Sequence, residues 1–238
     1  MKIAENKESK KEQVESMFNS IAPRYDFLNH FLSMGIDHLW RKKTIKQLKS
    51  LNPKTILDVA SGTGDLAICA LKNLNPEKIT GIDISEQMLE FGRKKLIERK
   101  LNDRITLIQA DSENIPFEDN SFNAITVGFG VRNYENLEKG LIEMRRVLTP
   151  GGMVAILEFS KPRNFPIKQI YNFYFKYILP FIGKIVSKDN RAYTYLPESV
   201  SKFPDREEFI KVLKSCGYQN SRYISLSFGI ASIYIAEK

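Results

Sequence analysis

From Lys54 onward, short β-branched runs alternate with amphipathic helical patterns, and few folds accept that rhythm. The runs "TILDVA" (55–60), "KITGID" (78–83), "RITLIQA" (104–110), "FNAITV" (122–127) and "GMVAILEFS" (152–160) read as strands apolar enough to be buried on both faces. Between them, 64–74, 85–100 and 135–148 carry a period near 3.6 residues. In the second, Met88, Leu89, Gly92 and Leu96 form one stripe and Ser85 is placed to cap the helix. "LTPGG" stops the third helix and turns the chain into the next strand. This is βαβ punctuation, and it predicts a doubly wound, mostly parallel sheet with helices on both faces. The end departs from the rhythm. After a helix near Asp205 to Ser215, two runs at 221–227 and 230–238 are separated by little more than Phe228-Gly229, which predicts an antiparallel hairpin closing a seven-stranded sheet.

With 238 residues and 42% hydrophobic content, the chain can bury one sizeable core. We expect a single domain over 16–238, with 16–50 as a helical cap and 161–203 as an insert. Residues 1–15 mix both charge signs without a sustained apolar stripe and read as a mobile terminus. Cys69 and Cys216 lie far apart in apolar segments and no apolar leader precedes them, so the expectation is a reduced, cytoplasmic protein without disulfides. No run is long and apolar enough to span a bilayer. A net charge of +8 favours phosphate-rich surfaces, either nucleic acid or an anionic bilayer, without choosing between them.

"LDVASGTGDLA" puts Asp58 late in the first strand and Gly62, Thr63 and Gly64 in the turn before a helix, where glycine permits sharp bending and close ligand approach. Asp83 and Ile84 end the second strand, where a carboxylate can accept the two hydroxyls of a ribose. Asp111 and Ser112 end the third, in reach of an adenine edge. Three such sites at successive strand ends point to an adenosyl nucleotide at the switch point of the sheet. No Gly-Lys-Ser/Thr follows, which excludes a Walker loop, and the third glycine of the dinucleotide pattern is missing. Two close glycines suffice for S-adenosylmethionine, which has no pyrophosphate. The predicted fold is therefore the Rossmann-like class I methyltransferase fold, which ends in such a hairpin. His/Cys clusters at metal-ligand spacing are absent, and no metal is expected.

Beyond the loop, "YDFLN" with "SMGIDHLW", then "GFGVRNYEN" and "RRVLTPGG", resemble the UbiE/MenG family of ubiquinone/menaquinone biosynthesis C-methyltransferases, from about Phe18 to the end. Leu28 stands where the family has Met, Asp37 where it has His, and Gly128 where part of it has Ser. The resemblance implies S-adenosylmethionine as cofactor, Gly128 among its contacts, and transfer of its methyl to a ring carbon of a polyprenyl quinol. Demethylmenaquinol is the favoured acceptor, with the ubiquinone equivalent open. It also implies that the N-terminal segment walls the acceptor pocket. Leu28, Phe31, Leu32 and Gly35 fall at helical spacing in that segment; His30 and His38 read as surface residues.

Methylation at carbon needs the neighbouring phenol, with a pKa near ~10, to release its proton. A guanidinium beside it would favour the phenolate. Arg132 is the candidate, with Asn133 orienting the quinol oxygen and Tyr25 or Asp26 completing a proton path. An ion pair of Arg132 with a helix acid such as Glu135, and simple core packing of Tyr25, are the alternatives. The segment 164–188 holds seven aromatics and four lysines and no acid. Tyr171, Tyr174, Phe175 and Ile178 fall on one helical stripe with Lys176 off it, which predicts peripheral membrane association; packing on the sheet or a homodimer contact is the alternative. An RNA substrate is the rival reading, favoured by a pI of 9.3 but lacking any appended RNA-binding module, so no nucleic-acid partner is expected.

Overall fold

The computed structural model describes residues 9–26, 33, 35–178 and 191–238. Helix α1 (Lys10–Ile21) is followed by a short 3-10 turn and then α2 (Ile36–Lys46). The alternating body runs β1 (Thr55–Val59), α3 (Asp65–Leu74), β2 (Lys78–Asp83), α4 (Glu86–Glu98), β3 (Ile105–Gln109), β4 (Phe122–Gly128), α5 (Leu137–Val147) and β5 (Leu148–Phe159). Then come α6 (Ile167–Phe173), α7 (Arg191–Lys202), α8 (Glu207–Ser215), β6 (Gln219–Leu226) and β7 (Ala231–Glu237). The seven strands form one sheet in the order β3-β2-β1-β4-β5-β7-β6, with β7 antiparallel to both neighbours. The predicted class I architecture, hairpin included, is what the chain builds.

Strand periodicity divides the core between the two faces of the sheet. Leu57 points into a cluster with Leu141, Met144, Phe209 and Tyr234 under α5 and α8, while its neighbour Ile56 packs with Leu66, Leu71, Leu89 and Leu96 under α3 and α4. The stripe Met88, Leu89, Gly92 and Leu96 is buried, and Ser85 caps α4 by accepting from the Met88 N–H. "LTPGG" does not leave the sheet: Leu148 still pairs with Phe122 before a register shift brings Met153 opposite Ala124. At the hairpin, Trp40 of α2 packs beside Phe129 and Phe159 and its Nε1 donates to Ser227 Oγ over 2.9 Å.

Two expectations meet a different outcome. Helix α1 starts inside the stretch read as mobile, because Ser9 and Glu12 form a reciprocal capping box and Val14 and Met17 are buried. On the insert, Tyr171 and Tyr174 are half-buried, and the exposed apolar positions lie on the adjoining line Ile170, Phe173 and Tyr177, with Ile178 shared. The side chains of Phe175 and Lys176, like the residues Leu28, His30, Phe31 and Leu32 of the predicted cap stripe, lie outside the described set. Gly35 precedes α2 at φ 75°, and His38 is exposed, while Asp37 is buried and pairs with Arg41.

Candidate active site

The strand order reverses between β1 and β4, and a cleft opens over the carboxyl ends of the parallel strands there. Leaving β1, the chain passes through Ala60 and Gly62 at φ 54° each before α3 begins. The Gly62 N–H donates to Asp83 Oδ2 over 2.8 Å and the Ser85 N–H to Oδ1 over 2.9 Å, so the carboxylate ending β2 stitches two turns together. Burial raises the Asp83 carboxyl above its usual range. Asp58, only 1% exposed, accepts from Ser61 Oγ and Thr126 Oγ1, both over 2.6 Å. Its burial outweighs those two bonds and pushes its pKa up to about 6.

Helix α1 roofs this cleft. Lys11 pairs with Asp111, whose Oδ1 accepts from the Glu113 N–H over 2.9 Å, and Asn19 Oδ1 accepts from Ser85 Oγ over 2.6 Å. Phe18 meets Tyr25 edge to face at 6.0 Å between ring centroids. The enclosed and open space together amount to about 990 Å³. Of the residues singled out from the sequence, Tyr25, Asp58, Gly62, Thr63, Asp83, Ile84, Asp111, Ser112, Gly128 and Asn133 line it. Gly64, Asp26 and Arg132 do not. Gly64 sits behind the loop at φ 81° as the first cap of α3.

Asp26 is engaged by partners distant in sequence: Thr63 Oγ1 donates to its Oδ1 over 2.6 Å and Lys95 pairs with its Oδ2. Lys95 also reaches Asp65 over 2.9 Å, so Asp26 ties the N-terminal segment to α4 and the loop. Arg132 lies just behind Asn133, on the 3-10 turn Val131–Asn133 after β4. Its partner is Glu158, fully buried at the end of β5, rather than Glu135. Arg132 Nη1 donates to Glu158 Oε1 over 2.7 Å and to the Phe129 carbonyl, and the guanidinium stacks 5.4 Å from the Phe159 ring. Burial raises the Glu158 carboxyl and the Arg132 charge opposes that rise. Asn133 Oδ1 accepts from Tyr195 Oη over 3.1 Å.

Sequence reasoning missed Lys11, Glu113, Glu158 and Tyr195. Two signals were present: Ser9-Lys10-Lys11-Glu12 is a capping box, and Glu158 is the single charge in an otherwise apolar strand. Nothing local marks Tyr195.

The cleft lining carries six carboxylates, Asp58, Asp65, Asp83, Asp111, Glu113 and Glu135, against the two cations Lys11 and Arg41. In a chain of net charge +8 this is a concentrated acidic pocket, suited to a ligand that is cationic and offers N–H and O–H donors. S-adenosylmethionine is such a ligand. Glycine is required at 62, since a Cβ there would lie 3.1 Å from Met88 Cε at a φ that side chains rarely adopt.

Fold and cleft together define a class I S-adenosylmethionine-dependent methyltransferase. Solved structures share the fold: the 4+2-cyclase SpnF at TM-score 0.71 and 16% identity, covering 97% of this chain and 96% of that one, and a putative S-adenosylmethionine-dependent methyltransferase from Methanococcus maripaludis at TM-score 0.63 and 22% identity, covering 100% and 97%. The model of the ubiE/COQ5 methyltransferase family matches residues 6–238, and the chain belongs to that family. It is 48% identical over 98% of its length to a demethylmenaquinone methyltransferase of Bacteroides fragilis, covering 95% of that protein. It is 46% identical over 96% of its length to the ubiquinone/menaquinone biosynthesis C-methyltransferase UbiE of Geotalea daltonii, covering 97% of that protein.

Proposed function

We propose that this enzyme methylates a ring carbon of demethylmenaquinol in the formation of menaquinol. The observation that carries the reading is the near full-length identity of 48% to the Bacteroides fragilis protein of that name. S-adenosylmethionine, when bound, supplies an electrophilic methyl group. Asp83 would hold its ribose hydroxyls, Asp111 and Ser112 its adenine edge, and the Gly62 turn and Gly128 its remaining length. On the acceptor side, Asn133 offers its amide to the quinol oxygen and Tyr25 walls the cleft beside Gly62. Arg132 favours the phenolate from behind, through Nη2, because Nη1 and Nε are engaged by Glu158, Phe129 and Ser199. The buried Glu158 offsets much of its charge, so the pair acts more by orientation than by net field. The cap and the insert complete the acceptor wall.

An RNA acceptor is disfavoured by the near full-length identity to proteins named as quinone C-methyltransferases. A polyprenyl tail fits a second feature. Phe165, at 81% exposure, is on the insert with the exposed Ile170, Phe173 and Tyr177, and the Phe173 and Tyr177 rings meet tilted at 5.2 Å between centroids. No helix among the described residues is long and apolar enough to cross a membrane. We take this patch as a peripheral contact with the bilayer that holds the substrate. The test is transfer of labelled methyl from S-adenosylmethionine to short-tailed demethylmenaquinol by the purified enzyme, with the ring carbon identified by mass spectrometry. Absence of transfer, or accumulation of normal menaquinone in a deletion strain, would overturn the reading.

A further inference from the structure

The turn that carries Arg132 and Asn133 is gripped by helix α7. Helix α7 presents Tyr195 and Ser199, four residues apart and hence on one face, to two adjacent residues of that turn. Tyr195 Oη donates to Asn133 Oδ1 over 3.1 Å, and Arg132 Nε donates to Ser199 Oγ over 3.3 Å. Asn133 Nδ2 donates in turn to the Phe129 carbonyl over 3.3 Å. The Phe129 carbonyl can only accept, so a flipped Asn133 would set oxygen against oxygen; with the amide held this way, its second amide hydrogen is the donor that remains for a ligand. Asn133 lines the cleft while Tyr195 does not. Burial holds the Tyr195 hydroxyl protonated and above its usual range, with Arg132 opposing the rise, so it stays a donor through neutral pH.

We infer that Tyr195 is a positioning residue for the acceptor: it fixes the Asn133 amide with its N–H toward the quinol oxygen. This rests on the proposed quinol methylation and adds a residue of the insert to it. A donor so held recognises an oxygen acceptor and disfavours a ring bearing a donor at the same place.

The experiment compares the parent enzyme, Tyr195→Phe, Asn133→Ala and the double variant, with short-tailed demethylmenaquinol as acceptor. Tyr195→Phe should lower kcat/KM for the quinol by about tenfold, the scale of one oriented hydrogen bond, with the calorimetric Kd for S-adenosylmethionine and the Tm unchanged. In the Asn133→Ala background the same substitution should have no further effect, since the hydroxyl then has nothing to orient. Ser199→Ala serves as a check on the helix itself: it should leave the Tyr195 effect intact. Parental kcat/KM in Tyr195→Phe, or an undiminished loss in the Asn133→Ala background, would overturn the inference alone. A parent enzyme that does not methylate the quinol would overturn the substrate reading and the inference with it.

Discussion

Asp58 and Asp83 show how much one carboxylate can carry. Asp58 is buried beneath the loop with a pKa near 6, so the folded state binds its proton more tightly than the unfolded chain does. Its contribution to stability is therefore fully present below about pH 4 and is lost as pH rises through about 6, a change on the order of 3 kcal/mol. Urea midpoints at pH 4.5 and 7 should thus fall further for the ligand-free parent than for Asp58→Asn, and parallel midpoints would refute the assignment. Asp83→Ala should weaken S-adenosylmethionine binding by about 1.5–3 kcal/mol, read by calorimetry, because a charge-assisted hydrogen-bond acceptor is removed. Asp58 and Asp83 were legible in the sequence because strand ends can be counted from periodicity. The pairing of Arg132 with Glu158, 26 residues away, was not, since it depends on β5 lying next to β4 in the sheet. The pairings of Asp26 were illegible for a related reason: its partners Thr63 and Lys95 belong to a loop and a helix whose approach no local pattern records.

Among the elements, α1 carries the clearest consequence. Its polar surface hides an apolar side too narrow to stand out, Val14 and Met17, and its basic start meets the acids of the cleft. Lys10 reaches the Arg132 and Tyr134 carbonyls and Lys11 reaches Asp111. Burial lowers the Lys10 pKa, and the neighbouring Glu113 and Glu135 oppose that shift. Ser9→Ala removes the hydroxyl that accepts from the Glu12 N–H, leaves the bond from the residue 9 N–H to the Glu12 carboxylate, and should cost α1 about 1 kcal/mol. Hydrogen exchange should then quicken in residues 10–21 while the amides of β1 and β4 keep their protection. Equal exchange in variant and parent would show that α1 is held by its side chains on the cleft and not by its cap.

For the molecule as a whole, charge and apolar exposure are distributed unequally. The cleft is acidic, the chain is basic overall at +8, and the exposed aromatics of the insert stand apart from both. We expect salt-sensitive binding to anionic vesicles, each lysine near the surface adding about 1 kcal/mol. Phe173→Ser with Tyr177→Ser should reduce that binding and slow turnover of long-tailed quinol while sparing a short-tailed one. Unchanged sedimentation with vesicles would leave the patch to another role.

The alternation of strands and helices, the glycine turn, the cap of α4 and the closing hairpin were all determined by the sequence itself, because each is written in spacings of two to four residues. The tertiary structure alone decided which of those pieces share a cleft. Lys11 meets Asp111 across 100 residues and Tyr195 meets Asn133 across 62, and such encounters follow from the strand order and from which helix covers which strand end. Periodicity specifies the face a residue turns to the core; it carries no information about what the opposite face will meet.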